Sequence, residues 1–176
     1  MIDAPVSGAT QAAADAQLLI MAGCREAEAT TLMPIFDALG RRTMFLGAVG
    51  TGTVMKLAVN SVLHGLNQAL AEAMSLATAA GIPPEATFDV IENSAPAAPM
   101  LKYRRPLYLN EAAHDVTFTV ALARKYMEVT AALAERVGAT MLQGRVTLDN
   151  PLAAETQQYG ACGMPTMIDF IGKDKT

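Results

Sequence analysis

Between Thr53 and Ala80 the chain runs without a proline and with a single internal glycine, Gly65. Gly81 and Pro83 follow directly, the combination that ends helices, because glycine adopts the left-handed closing conformation and proline cannot continue the ladder. The stretch predicts one helix of roughly 40 Å at 1.5 Å per residue, long enough to traverse a whole domain. Any fold for this chain must be built around that rod. The supply of core side chains is adequate: hydrophobic residues make up 52% of the 176 residues and charged ones 17%, which argues against disorder. Aromatics are only 5%, so alanine, leucine and methionine carry the packing, as in helical cores.

The segments on either side of the rod differ in character. Ahead of it, Asp3 to Val6 reads as a short strand, Ala9 to Ala16 as a helical turn or two, and Leu18 to Met21 as a buried strand bounded by Gly23. Arg25 to Leu39 has apolar residues at Ala29, Leu32, Met33 and Phe36, which is helical spacing, and Gly40 stops it. Thr43 to Leu46 is a third short strand. Three such strands form a small sheet whose edges stay open unless something covers them. Beyond the rod only helices are expected: Ala86 to Glu92, then a loop from Asn93 to Pro99, then Met100 to Asn110 with a break near Pro106. Phe118 to Val137 is an amphipathic helix closed by Gly138. Asn150-Pro151 interrupts the next segment and caps its second half, to Tyr159. A short helix from Met164 to Ile171 and a frayed tail, Lys173 to Thr176, complete the chain. The fold class is thus mainly α, with a short α/β segment over 1–47 and an all-helical domain over 48–176.

Charge and cysteine usage narrow the setting. A net charge of −4 disfavours nucleic acid, which selects a basic surface. The apolar run Leu18 to Met21 is too short to span a bilayer, and no basic segment precedes it, so neither a membrane span nor a signal peptide is expected. The two cysteines, Cys24 and Cys162, match no metal spacing and fit a reducing, cytoplasmic compartment. His64 and His114 have no acidic or cysteine partner at ligand spacing, so no metal site is expected.

Two stretches carry candidate chemistry. Gly47-Ala-Val-Gly-Thr-Gly52 has the wrong spacing for a dinucleotide loop, and is read as a helix start with N–H groups open to an anion. Just inside that helix Lys56 is flanked by Val54, Met55, Leu57, Ala58 and Val59, and it begins a polar stripe continued by Asn60, His64 and Asn67. Residues at i and i+4 share a helix face, so the Lys56 ammonium and the Asn60 amide point the same way. The stripe either faces water on an otherwise buried helix or lines a cleft in which a lysine of lowered pKa exchanges protons. Ser7-Gly8, at the end of the first strand, is a simple turn or a site. Lys102, Arg104 and Arg105 form a basic cluster read as a solvated face, and His114-Asp115 as a loop pair.

Together, Asp3-Ala-Pro-Val-Ser-Gly8 and, some forty residues on, Gly50-Thr-Gly-Thr-Val-Met-Lys56-Leu-Ala-Val-Asn60 resemble the β-hydroxyacid dehydrogenase family. That family includes 3-hydroxyisobutyrate dehydrogenase, tartronate semialdehyde reductase and, more distantly, 6-phosphogluconate dehydrogenase. Leu-Ile-Met-Ala-Gly23, Phe36-x-x-Leu-Gly40 and Phe118 to Gly138 follow in the expected order, so the likeness covers nearly the whole chain. The resemblance implies that residues 1–47 are the tail of an NAD(P)-binding Rossmann domain. Residues 48–176 are then an all-helical substrate-binding and dimerisation domain like the C-terminal part of 6-phosphogluconate dehydrogenase. It implies NAD(P)-dependent oxidation of a small 3-hydroxyacid, with Lys56 as proton donor and acceptor and Asn60 on the same substrate oxygen. Ser7, Gly8 and Ala9 would receive the substrate carboxylate, and Lys125 would lie on the cofactor side. A dimer or tetramer is implied as well.

Three positions depart from the family pattern: Ala9 stands for a second glycine, Val59 for an asparagine, and Tyr126 for the aspartate after Lys125. The chain also begins two residues before the serine motif, so most of the dinucleotide-binding domain is expected to be missing and NAD or NADP not to bind tightly to this chain alone. The alternative is a non-catalytic helical dimerisation or binding module derived from the same family.

Overall fold

The computed structural model describes residues 1–116 and 118–173; three residues of the expected frayed tail, 174–176, lie outside them. Contacts divide the chain into two compact units, Met1–Asn60 and Ser61–Thr176, with the division falling inside the long helix.

The first unit is a three-stranded sheet, β1 (Val6–Ser7), β2 (Leu18–Ala22) and β3 (Gly40–Phe45), in the order β1-β2-β3. The apolar run chosen as a buried strand is the central one, with Ile20, Met21 and Ala22 all at most 2% exposed. β1 runs antiparallel to β2, pairing Val6 with Ile20 and Ser7 with Leu19. The pairing extends upstream of β1: Pro5 accepts a hydrogen bond from the Met21 N–H at 2.9 Å and Asp3 accepts one from Gly23 at 2.7 Å. Pro5 has no N–H to offer, and an edge position asks for none. β3 is parallel to β2, with a register shift between Leu18 and Leu19.

Between β2 and β3 the structure departs from the single helix expected over 25–39. It forms 3-10 turns at Glu26–Glu28 and Thr30–Leu32, then helix α2 (Met33–Leu39). Pro34 is the reason. It sits in the first turn of α2, where its missing N–H is harmless, but inside a longer helix its ring would strike the carbonyl four residues back. Phe36 then points into a cluster with Ile20, Ala22, Cys24 and Ala29. The short helix α1 (Ala9–Ala14) joins β1 to β2.

The long helix, α3, runs Thr51–Ala79 and ends as expected with Gly81 at φ +83°. In the second unit, α4 (Pro84–Glu92) and α5 (Pro99–Leu109) pack around Phe88, Met100 and Leu101 with Leu70 and Met74. Arg105 ties this pair: it donates to Asp89 at 2.6 Å and to Glu92 at 2.8 Å, and lies 5.5 Å from the Phe88 ring centre. One member of the expected solvated basic cluster is therefore a structural clamp. Helix α6 (Val120–Val137) starts at a Thr119 cap and closes at Gly138, φ +72°. It packs on α7 (Leu142–Thr156), and α8 (Met167–Lys173) follows; Val120, Ala123, Ala154, Met167 and Phe170 share one core with Ala71.

Two expected helix breaks are absent. α5 continues through Pro106, and α7 through Pro151 instead of restarting at Asn150. In α7 the buried face Thr147, Pro151 and Ala154 recurs at helical spacing, so packing holds the helix across the one lost hydrogen bond. Among the described residues no helix is long and apolar enough to cross a membrane.

Candidate active site

β1 delivers Ser7 to the edge of the sheet and then turns sharply. Gly8 takes φ +148° and Ala9 φ +59°, and a Cβ on Gly8 would stand 2.6 Å from that of Ala12. The second turn of α3 presents Lys56 to the same place: its Nζ donates to the Val6 carbonyl at 2.8 Å, one residue before Ser7. Two motifs fifty residues apart are thereby joined. Lys56 is half-buried, and burial holds its pKa below the ordinary lysine value, because desolvation penalises the ammonium. Asn60, one turn further along, is 6% exposed.

The remainder of the polar stripe is buried as well, so it does not face water. His64 is 2% and Asn67 3% exposed. Asn67 accepts a short hydrogen bond from the Tyr108 hydroxyl, whose pKa burial pushes up to about 12. The His64 ring lies 5.6 Å from that of Phe118, which stacks in turn on Tyr126 at 6.1 Å. Tyr126, the residue in place of the family's aspartate, is thus an aromatic packing element. Lys125 beside it lies on the exposed side of α6, in the second unit. His114 is exposed and leads into the loop after a 3-10 turn.

Sequence reasoning missed Asp3. The start of α3 was expected to leave its N–H groups open to an anion, and the structure corrects this: the chain's own Asp3 carboxylate fills the place. Oδ1 accepts from the Gly50 N–H at 2.6 Å, while Oδ2 accepts from the Thr53 N–H at 2.6 Å and the Thr53 hydroxyl at 2.9 Å. Burial alone would raise the Asp3 pKa; these hydrogen bonds outweigh it and hold the carboxyl below its usual range. Gly23 and Gly52 close around the group, since a Cβ on Gly23 would overlap Asp3 Oδ1 and one on Gly52 would strike the Met21 carbonyl oxygen. The available signal was a carboxylate in the first motif and a glycine turn with threonines in the second, but nothing local connects them.

A small edge sheet carrying a serine turn and, on the helix that follows, a half-buried lysine together define the candidate site. Residues 50–171 match the family model described as NAD-binding of NADP-dependent 3-hydroxyisobutyrate dehydrogenase, and residues 1–50 match the NAD binding domain of 6-phosphogluconate dehydrogenase. The chain belongs to the 3-hydroxyisobutyrate dehydrogenase-like branch of the β-hydroxyacid dehydrogenase family.

Among curated relatives, glyoxylate/succinic semialdehyde reductase 1 of Arabidopsis thaliana is 32% identical over 140 residues, covering 80% of this chain and 48% of the relative. Among solved structures, 3-hydroxyisobutyrate dehydrogenase from Salmonella typhimurium superposes with a TM-score of 0.86 at 28% identity, over 97% of this chain and 60% of that one. The Mycobacterium tuberculosis 3-hydroxyisobutyrate dehydrogenase with L-serine gives 0.83 at 26% identity, with 97% and 60% coverage. The chain thus spans about half the length of the curated relative and three-fifths of the solved ones. The expected fold, a mainly helical domain preceded by a Rossmann remnant, is the one observed.

Proposed function

We propose that this chain is the substrate-binding and proton-transfer part of an NAD(P)-dependent 3-hydroxyacid dehydrogenase acting on a small hydroxy- or oxo-carboxylate. The observation that carries the reading is the Lys56 Nζ–Val6 contact, which sets a half-buried amine of lowered pKa beside the Ser7-Gly8-Ala9 turn. In the oxidation direction the neutral amine takes the hydroxyl proton; in reduction the ammonium returns it to the carbonyl oxygen. Asn60 hydrogen-bonds the same oxygen and holds it in line. The Ser7 hydroxyl and the N–H groups of Gly8 and Ala9 receive the substrate carboxylate. We place the boundary between the sheet segment and the helical domain at 47/48, near residue 50 where the two family matches meet.

A bound nicotinamide dinucleotide would supply the hydride acceptor in oxidation and the hydride donor in reduction. Pyrophosphate binding at the start of α3 is disfavoured in this reading, because Asp3 occupies the N–H groups that the helix start would offer. Lys125 is the residue assigned to the cofactor side, and the chain assembles with itself as a dimer or tetramer in the cytoplasm.

The test pairs this chain, as a fusion or in trans, with the dinucleotide-binding domain of a family member and follows substrate-dependent reduction of NAD or NADP. Lys56→Ala is expected to lower the rate about 10²–10⁴-fold, the range typical of a general acid–base group. Activity that survives Lys56→Ala unchanged removes the residue from the reaction. No activity in any pairing, with the chain folded and self-associated, favours the helical dimerisation module.

A further inference from the structure

Lys56 has no catalytic value unless α3 is held at a fixed height against β1. A displacement of about 1 Å at a reacting group is enough to degrade catalysis. Something must therefore fix the first turn of α3 to the strand whose carbonyl receives the lysine. The sheet ladder cannot do this, because α3 is not part of it. Among the described residues, Asp3 joins Lys56 in linking the two segments directly, while the Thr51 hydroxyl, donating to the Leu46 carbonyl at 3.0 Å, ties the same helix start to the segment after β3 and not to β1.

We infer that Asp3 is the positioning residue for Lys56: by binding the Gly50 and Thr53 N–H groups and the Thr53 hydroxyl, its carboxylate locks the first turn of α3 onto the strand that ends at Ser7. The geometry is specific. The two carboxylate oxygens are divided between two N–H donors three residues apart, which fixes both the height and the rotation of the helix start. Asp3 is itself fixed, since its own carbonyl accepts the Gly23 N–H at 2.7 Å in the ladder to β2. Gly23 and Gly52 leave no slack around it. Three residues on, Val6 takes the Lys56 hydrogen bond, so a single short segment, Asp3 to Val6, holds α3 at its cap and at its second turn. The inference rests on the reading of Lys56 as the proton-transfer group, but the placement it describes is measurable without turnover.

The experiment titrates Lys56 by NMR in the full chain labelled with ¹³C at the lysine ε-carbons, its resonance assigned by disappearance in Lys56→Arg. In Asp3→Asn the Lys56 midpoint is expected to move upward, toward that of exposed lysines, as the side chain loses its sheltered seat. A rise of half a unit would correspond to about a threefold loss of neutral amine at a given pH. A fall in melting temperature with the midpoint unmoved would mean that Asp3 only stabilises, and would overturn the inference. A downward movement would also overturn it, since that is the direct electrostatic consequence of removing a nearby negative charge. Should Asp3→Asn fail to fold, Thr53→Ala and Thr53→Ser decide. The serine variant keeps the hydroxyl and the native midpoint while the alanine variant moves upward; equal, unmoved midpoints overturn the inference. Retained activity in Lys56→Ala would refute the proton-transfer role and leave this result untouched, so the two failures are distinguishable.

Discussion

Ala9 carries a cost that glycine would not. Its φ of +59° lies in the left-handed region, where a Cβ crowds the following carbonyl oxygen by about 1–2 kcal/mol. Part of that returns through the unfolded chain, because glycine loses more freedom on folding. Ala9→Gly is therefore expected to stabilise the chain by roughly 0.5–1 kcal/mol, read as a higher urea midpoint at unchanged slope. A lower midpoint would show that the Ala9 methyl has packing value the exposed position does not suggest. The departure at Ala9 was visible in the sequence; that the turn keeps its left-handed form despite it was not. Lys56 shows the same limit. Its apolar flanks marked it, but they could not choose between a water-facing stripe and a seam, because the deciding contact lies fifty residues away on Val6. Asp3 opens the first motif with no local feature that assigns it a role, for the same reason: its partners lie some fifty residues away.

Elements with a strong local signal were legible: β2 from its unbroken apolar run, α3 from its freedom from proline, α6 from its period and its closing glycine. Three of the misread boundaries involve proline, and each has its own physics. Pro34 split an expected helix because it falls too deep inside it, whereas Pro151 did not split α7 because its ring is buried and packed. Pro106 is a third case. It is exposed near the C-terminal end of α5, so it contributes little packing while withholding one N–H from the helix ladder. Pro106→Ala should stabilise the chain by about 1–3 kcal/mol, the upper end being the full helix-interior penalty for proline. Calorimetry showing a lower melting temperature instead would mean that the proline is kept for restricting the unfolded chain.

At the scale of the whole molecule, the family match explains the order of elements, and the filled start of α3 bears on what these 176 residues bind unaided. Dinucleotide folds hold the pyrophosphate on N–H groups at a glycine turn opening a helix, and they need those groups free. The glycine turn ahead of α3 has the look of such a place, and a sequence reading can take it for an open anion site. Its Gly50 and Thr53 donors are committed to Asp3, a group ionised well below neutral pH. A second anion there would meet a carboxylate in place of free donors. The net charge of −4 adds a weak repulsion, felt mainly at low salt. Isothermal titration of the isolated chain with NADH and with NADPH should accordingly give dissociation constants weaker than about 1 mM, equivalent to no more than some 4 kcal/mol of binding. Saturable micromolar binding of either nucleotide would mean that other residues, Lys125 foremost among them, build a cradle without the glycine turn.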